Sequence, residues 1–152
     1  MGVTEFRRAV LADAGAVAAL TRDAYAPWVQ VIGREPLPMT VDYADAVLAH
    51  RIDLLHQDGA LVALIEMLPH SDHLWIENVA VSPDHQGRGL GRVLIGHAEA
   101  VARNLGTPDL RLLTNAAFAV NLQFYARLGF TEERSEPFRG GTTVYFRKGL
   151  TG

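Results

Sequence analysis

Three closely spaced glycines at the start of a predicted helix are the residues of this sequence best suited to bind a ligand. Gly87, Gly89 and Gly91 follow an apolar segment that is typical of a strand, and each lacks the Cβ that would keep a ligand away from the backbone. The first N–H groups of a helix have no partner within the helix, and the helix dipole makes that end positive. Together with Arg88 and Arg92, this turn is therefore predicted to bind phosphate.

The spacing of these glycines distinguishes between several kinds of phosphate-binding loop. A Walker loop ends in Gly-Lys-Ser or Gly-Lys-Thr, and this turn contains no lysine. A dinucleotide-binding fingerprint places G-x-G-x-x-G directly after a first strand, whereas the order here is G-x-G-x-G in the middle of the chain. The turn instead resembles the pyrophosphate-binding motif Q/R-x-x-G-x-G/A of the GCN5-related N-acetyltransferase superfamily, with Gln86, Gly89 and Gly91 at its defined positions.

A second segment, nearer the C-terminus, resembles another motif of the same superfamily. Asn121, Phe124, Tyr125, Gly129 and Phe130 match a shortened form of N-x-x-(A/F)-x-x-(F/Y)-Y-x-x-x-G-F. The resemblance implies that the Tyr125 hydroxyl donates to the sulfur of coenzyme A and that Asn121 holds the coenzyme arm. Without the glycine-rich turn, the same residues would be interpreted as a half-buried tyrosine and an ordinary helix cap.

The resemblance also implies a site for acetyl-CoA along the strand that precedes the turn. The main chain of Val79 and Val81 would bind the pantetheine arm, and an N–H near Val79 would face the developing oxyanion. The resemblance also makes Glu77 the candidate base, since some members of the superfamily carry at this position an acid that acts on the amine through water. Strand alternation would place Glu77 on the side of Val79 and Val81. The expected coenzyme-binding residues are Val79, Ala80, Val81, Gln86, Gly87, Arg88, Gly89, Leu90, Gly91, Arg92, Asn121 and Phe124.

The acceptor pocket is implied to form from the segment between the first two helices and from the closing hairpin. In this sequence the first of these contributes Tyr25, Trp28 and Glu35 as expected substrate-binding residues. Aromatic walls around an acid would suit an amine carried on a moderately apolar body. The alternative is that Tyr25 and Trp28 only cover the core.

These assignments predict an acetyl-CoA-dependent N-acetyltransferase in which a primary amine of a small molecule or peptide attacks the thioester directly in a ternary complex. Cysteine is absent, which excludes a cysteinyl acyl-enzyme. Two alternatives stay open. One is transfer of a longer acyl group, and the other is a coenzyme-A-binding sensor or partner module without turnover, in which Tyr125 is structural.

Composition limits the class of protein. The 152 residues, 49% hydrophobic, predict a single acetyltransferase domain over 1–152. The net charge of −3 predicts no nucleic-acid partner, and no apolar run is long enough to predict a membrane span. The absence of cysteine and of an apolar leader favours a cytoplasmic location, and no metal site is predicted. The sequence leaves open whether the chain forms a homodimer.

Hydrophobic periodicity and turn residues predict the elements that must position the two motifs. The expected strands are 4–10, 52–56, 60–68, 74–81, 110–114, 132–137 and 142–148; the expected helices start at Asp13, Asp42, Gly89 and Asn121. Residues 29–40 are expected to be irregular, and the turns to fall at Asp58-Gly59 and Gly140-Gly141. This order matches the fold of the superfamily, an α/β (α+β) fold with a mixed, mostly antiparallel twisted sheet of six to seven strands and helices on both faces.

Overall fold

The computed structural model describes residues 3–150 and contains one seven-stranded sheet. The strands are β1 (Thr4–Arg8), β2 (Arg51–Gln57), β3 (Ala60–Pro69), β4 (Leu74–Val81), β5 (Asp109–Asn115), β6 (Thr131–Phe138) and β7 (Gly141–Gly149). Their spatial order is β1-β2-β3-β4-β5-β7-β6, and every neighbouring pair is antiparallel except β4 and β5. The predicted fold class is confirmed.

Within residues 3–150, five α-helices connect the strands: α1 (Ala14–Tyr25), α2 (Val29–Ile32), α3 (Tyr43–Ala49), α4 (Leu90–Leu105) and α5 (Ala119–Arg127). Asp42 caps α3 by accepting from the backbone N–H groups of Ala44 and Asp45, as its position before the apolar run predicts. Gly106 ends α4 with a φ of 76°, a conformation that glycine adopts at low cost. Of the described helices, none is long and apolar enough to traverse a membrane.

The helices cover both faces of the sheet and create two hydrophobic cores. Under α4 and α5, side chains of the central strands such as Ile65, Met67 and Ile76 pack with Leu94 and Tyr125. On the opposite face, α1 and α3 contribute residues to a second core. Its principal members are Val17, Leu20, Tyr43, Val47, Leu54, Leu64 and Ala80. The sheet therefore separates two hydrophobic cores, and β4 contributes side chains to both.

Two connections differ from the sequence prediction. Residues 29–40 contain the short helix α2 and a 3-10 turn at Leu37–Thr40, because Gly33 in the left-handed conformation ends α2 after one turn. The closing hairpin turns at Arg139-Gly140, with φ values of 49° and 80°, and not at Gly140-Gly141. The first hairpin has the predicted turn, with positive φ at Asp58 and Gly59.

The feature of the fold that matters most for function is the parting of β4 from β5. Their parallel pairing extends only from Leu74–Leu110 to Ile76–Leu112. On the other side of β4 the register with β3 shifts at the same level, so that Glu66 faces Asn78 but Met67 faces Ile76. A bulge of this kind bends its strand. The bend therefore accompanies the opening of a gap in the middle of the sheet.

Candidate active site

A cavity of about 470 Å³ occupies the gap between the carboxyl halves of β4 and β5. This volume falls in the range of about 300–1,000 Å³ typical of small-ligand sites. Its lining combines apolar walls with a few polar groups. The residues are Tyr25, Ile32, Arg34, Pro36, Leu37, Pro38, Thr40, Val41, Tyr43, His50, Glu66, Ile76, Glu77, Asn78, Val79, Leu112, Leu113, Thr114, Asn115, Phe118, Asn121, Tyr125, Phe138 and Thr143. The cavity thus brings together Tyr25, Glu77, Val79, Asn121 and Tyr125, which the sequence singled out.

Glu77 is the extra residue of the β4 bulge. It has no Cα partner on β3, since Glu66 pairs with Asn78 and Met67 with Ile76. Ile76, and not Glu77, shares the core beneath α4 with Val79 and Val81. The strict alternation expected from the sequence is therefore wrong at Glu77. Its exposed side chain nevertheless lines the cavity, because a bulge redirects the side chain it displaces.

The backbone of β4 presents unpaired polar groups to the gap. Ser82 N donates to Val62 O at 2.8 Å, and hydrogen-bonded pairs alternate along an antiparallel ladder. From the bulge to the end of β4, the residues that exchange hydrogen bonds with β3 are consequently the even-numbered ones, while Val79 and Val81 direct their N–H and C=O groups away from β3. Since β5 has already diverged, the N–H groups of Val79 and Val81 point into the gap without a strand partner.

The carbonyl oxygens of Val79 and Val81, which also point away from β3, each accept a hydrogen bond from a side chain. The Tyr25 hydroxyl donates to Val79 O at 3.3 Å, and the Gln86 amide donates to Val81 O at 3.2 Å. Burial raises the pKa of Tyr25 well above its usual range, so the phenol remains a donor. At this strand edge the N–H groups therefore lack a strand partner, while each carbonyl oxygen already accepts one side-chain hydrogen bond.

Tyr125 is held on the opposite wall of the gap by other aromatic rings. Its ring centroid lies 5.2 Å from that of Phe124, 5.5 Å from Phe130 and 6.0 Å from Phe146. Only 8% of the residue is exposed, and burial raises the pKa of Tyr125 to about 12. Within residues 3–150 its hydroxyl has no hydrogen-bond partner. Tyr125 is therefore a neutral, positioned donor at the wall of the cavity.

The glycine-rich turn leads directly into α4 beside this gap. Gly87 and Gly89 both have a φ of 78°, and a Cβ at either position would meet no atom within 4 Å. Their backbone is thus open to a ligand, and Arg88 and Arg92 are exposed on either side. Gly91 is different, since a Cβ there would lie 3.0 Å from Cζ of Phe124. The ring of Phe124, on α5, packs against Gly91 and leaves no room for a side chain at this position.

Two of the expected acceptor-binding residues do not line the cavity. Trp28 packs its ring on Phe118, with centroids 4.2 Å apart, so that Phe118 and not Trp28 forms the wall. Glu35 is exposed and lies outside the lining. Arg34, its neighbour, does line the cavity, with its guanidinium 5.7 Å from the ring centroid of Phe138.

A buried acid that was not predicted from the sequence also reaches the cavity. Glu66 lies in the apolar middle of β3, its side chain is 2% exposed, and its Oε2 is 2.6 Å from Nδ1 of His50. Burial raises the pKa of Glu66, His50 partly opposes this, and the charge of Glu77 adds to it. A lone glutamate within the run 60–68 was a usable signal, since charged residues are rarely buried without a partner.

Asn78 completes this part of the wall. Its amide nitrogen donates to the hydroxyls of Thr21 and Tyr43 at 3.2 and 3.3 Å. Its amide oxygen is buried and has no partner among the residues that the structure describes. Tyr43 in turn donates to Pro38 O at 2.8 Å, which fixes the loop before α3 against the cavity.

The fold agrees with comparisons to known proteins. A model of the acetyltransferase (GNAT) family matches residues 18–130, well over half of the chain. The chain belongs to this family. The PaiA N-acetyltransferase of Thermoplasma acidophilum, solved in complex with coenzyme A, superposes with a TM-score of 0.82 at 16% identity, covering 97% of this chain and 99% of that one. The fold is therefore that of the GNAT acetyltransferases.

Curated relatives match a shorter stretch of this GNAT protein. The streptothricin acetyltransferase of Streptomyces lavendulae is 37% identical over 75 residues, which is 48% of this chain and 40% of the relative. The ribosomal protein bS18-alanine N-acetyltransferase of Escherichia coli is 35% identical over 78 residues, or 51% of this chain and 53% of the relative. The matches thus span about half the length of these relatives.

Proposed function

We propose that this GNAT protein is an N-acetyltransferase that transfers the acetyl group of acetyl-CoA to a primary amine of a small molecule or peptide. The observation that carries the proposal is the gap between β4 and β5, with free N–H groups on one side and a buried tyrosine hydroxyl on the other. The names of the curated relatives, one acting on streptothricin and one on a ribosomal protein alanine, support an amine acceptor.

The chain offers a continuous path for the cosubstrate. The positive-φ glycines and the first N–H groups of α4 are suited to the pyrophosphate, with Arg88 and Arg92 adding charge. From there the pantetheine arm would run along β4 in place of the missing strand partner, with Asn121 lining its path. The N–H groups of Val79 and Val81 are donors available to it because β5 has diverged, and their carbonyl oxygens, which accept from Tyr25 and Gln86, each keep a second lone pair.

Acetyl transfer then needs three things from this chain. The N–H near Val79 polarises the thioester carbonyl and stabilises the negative charge on its oxygen as the amine nitrogen bonds to the carbonyl carbon. Glu77 takes a proton from the amine, directly or through water. The hydroxyl of Tyr125 donates a hydrogen bond to the sulfur while the carbon–sulfur bond breaks.

The high pKa of Tyr125 defines its role more closely. At about 12 the phenol holds its proton more tightly than a thiol of ordinary pKa, about 8.5, so complete transfer to the thiolate would be uphill. Tyr125 therefore stabilises the leaving thiolate by a charge-assisted hydrogen bond, and solvent supplies the final proton.

The proposal includes two further predictions made from the sequence, which are a single domain over 1–152 and a cytoplasmic location. It leaves open whether the chain forms a homodimer.

The test is release of free thiol from acetyl-CoA across a panel of polyamines, amino acids, aminoglycosides and peptide N-termini. Tyr125→Phe should lower kcat by about 10²-fold with little change in coenzyme affinity, since it removes one hydrogen bond to a developing charge. Tyr145→Phe is the matched control, because Tyr145 lies outside the cavity lining and stacks on Arg134.

The outcomes separate the proposed activity from its alternatives. Tight coenzyme binding with no thiol release on any amine would favour a sensor, and release only from longer acyl thioesters would change the acyl group. A kcat of Tyr125→Phe equal to that of Tyr145→Phe, with chemistry rate-limiting, would reduce Tyr125 to a packing residue.

A further inference from the structure

Glu66 and Asn78 are directly opposed on β3 and β4, so their side chains lie side by side on the same face of the sheet. Opposed residues have Cβ atoms about 4.5–5.5 Å apart. Both line the cavity, and both are almost fully buried, at 2% and 3% exposed. Two polar side chains thus meet at one point of a wall that is otherwise largely apolar.

Each of these side chains presents an acceptor with no protein donor. Glu66 uses Oε2 to contact His50, and no described residue donates to its Oε1. The amide oxygen of Asn78 is buried and unpaired within residues 3–150. Oε1 of Glu66 keeps some exposure and can accept from a ligand in the cavity, whereas the amide oxygen of Asn78 is, in the described part of the chain, an unsatisfied buried acceptor, which costs stability. An ammonium group, with three N–H donors and one positive charge, complements two adjacent acceptors of which one is an acid.

We propose that Glu66 and Asn78, with His50 orienting the carboxylate, form the subsite that binds the acceptor as an ammonium ion. The inference rests on the proposed acetyl transfer and adds its substrate class, which is a cationic primary amine on a compact apolar body. Glu77, also at the cavity, is then placed to take the proton before the nitrogen attacks.

The surrounding charges agree with a cationic ligand. The acids lining the cavity are Glu66 and Glu77, and the bases are His50, which is engaged with Glu66, and Arg34, which lies near Phe138. The phenols near Glu66, Tyr25 and Tyr43, have raised pKa values because they are buried, and stay neutral. The body of the ligand would meet apolar side chains, chiefly Ile32, Leu37, Val41, Leu113, Phe118 and Phe138.

A purely structural pair provides the matched comparison. Asp53 on β2 is 3% exposed and its Oδ2 lies 2.7 Å from Nε2 of His97, as Glu66 contacts His50, and the same oxygen also accepts from Nε of Arg51 at 3.1 Å. Asp53 does not line the cavity. If Glu66 served only to pair with a histidine, Glu66→Gln would leave ligand binding in the cavity unchanged, as Asp53→Asn is expected to do.

The experiment measures equilibrium binding of benzylamine and benzyl alcohol by calorimetry, at neutral pH, with and without saturating coenzyme A. The two probes share shape and differ in the ammonium group. Wild-type protein should bind benzylamine at least about tenfold more tightly than benzyl alcohol, which is the difference expected from one hydrogen bond to a charged group. Glu66→Gln should bring the two affinities within about threefold, while Asp53→Asn keeps the wild-type ratio and coenzyme affinity is the same in all three.

The inference is overturned if wild-type protein binds the two probes equally or does not bind benzylamine. It is also overturned if Glu66→Gln keeps the wild-type ratio. The wild-type comparison needs no variant to fold. Failure of the proposed activity can be distinguished from failure of this inference. The first would appear as a lack of coenzyme binding or of thiol release, whereas the preference for benzylamine is measured without turnover.

Discussion

Replacing Gly91 by alanine should destabilise the protein, whereas the same replacement at Gly96, five residues further along α4, should stabilise it. Alanine is favoured over glycine in an exposed helix by about 0.5–1 kcal/mol. At Gly96 a Cβ would meet nothing within 4 Å, so the full gain is expected. At Gly91 the new Cβ would lie 3.0 Å from Cζ of Phe124.

The size of the effect at Gly91 follows from that distance. Ordinary carbon–carbon contacts begin at about 3.5 Å, so the ring or the helix must move by about 0.5 Å. Overpacking of this kind costs about 1–3 kcal/mol. Phe124 is only partly buried and can yield in part, which favours a cost of about 1.5 kcal/mol. After the helix gain is subtracted, Gly91→Ala should be less stable than wild type by about 1 kcal/mol.

Urea unfolding followed by circular dichroism tests both variants, with the difference between them expected to be about 2 kcal/mol. A double-mutant cycle with Phe124→Leu assigns the cause, since the cost at Gly91 should disappear when the ring is gone. The reasoning is refuted if Gly91→Ala is as stabilising as Gly96→Ala, or if its cost is unchanged in the Phe124→Leu background.

Further predictions concern the coenzyme turn and the base. Gly89→Val should weaken coenzyme A binding by about 2–3 kcal/mol in calorimetry, because a β-branched residue disfavours the positive φ and its Cβ enters the space open to the ligand. Unchanged affinity in a folded variant would exclude the turn from the site. Glu77→Gln should lower kcat/KM at neutral pH and recover in part at about pH 9–10, where free amine becomes abundant. A pH-independent deficit would indicate a positioning role, and no deficit would assign proton removal to solvent.

Much of the fold was predictable because its signals are local. The turn at Asp58-Gly59, the cap at Asp42 and the helix end at Gly106 each depend on the backbone preferences of one or two residues. The glycine-rich turn and the segment around Tyr125 could be singled out for the same reason, since the residues that define each motif are close together in the sequence. Where the local signal was ambiguous, as with adjacent glycines at 140 and 141, the predicted turn was displaced by one residue.

The candidate acceptor site depends on contacts between residues that are distant in sequence. The bulge that leaves Glu77 unpaired arises from the pairing of β3 with β4, and no residue type in β4 predicts it. Whether Trp28 or Phe118 faces the cavity is decided by how one ring packs on the other.

The sequence by itself determined the order of the strands and of the four predicted helices, the glycine-rich turn before α4 and the position of Tyr125 on α5, because backbone preferences and apolar periodicity act over a few residues. Only the tertiary structure brought His50 to Glu66 and placed Asn78 beside them, since that contact joins the end of α3 to two strands. The physical reason is that a polar residue on an apolar strand carries the same local signal whether its partner is a protein group or a ligand. The partner is known only when the chain has folded and the residues that carry the remaining acceptors are found to line a cavity.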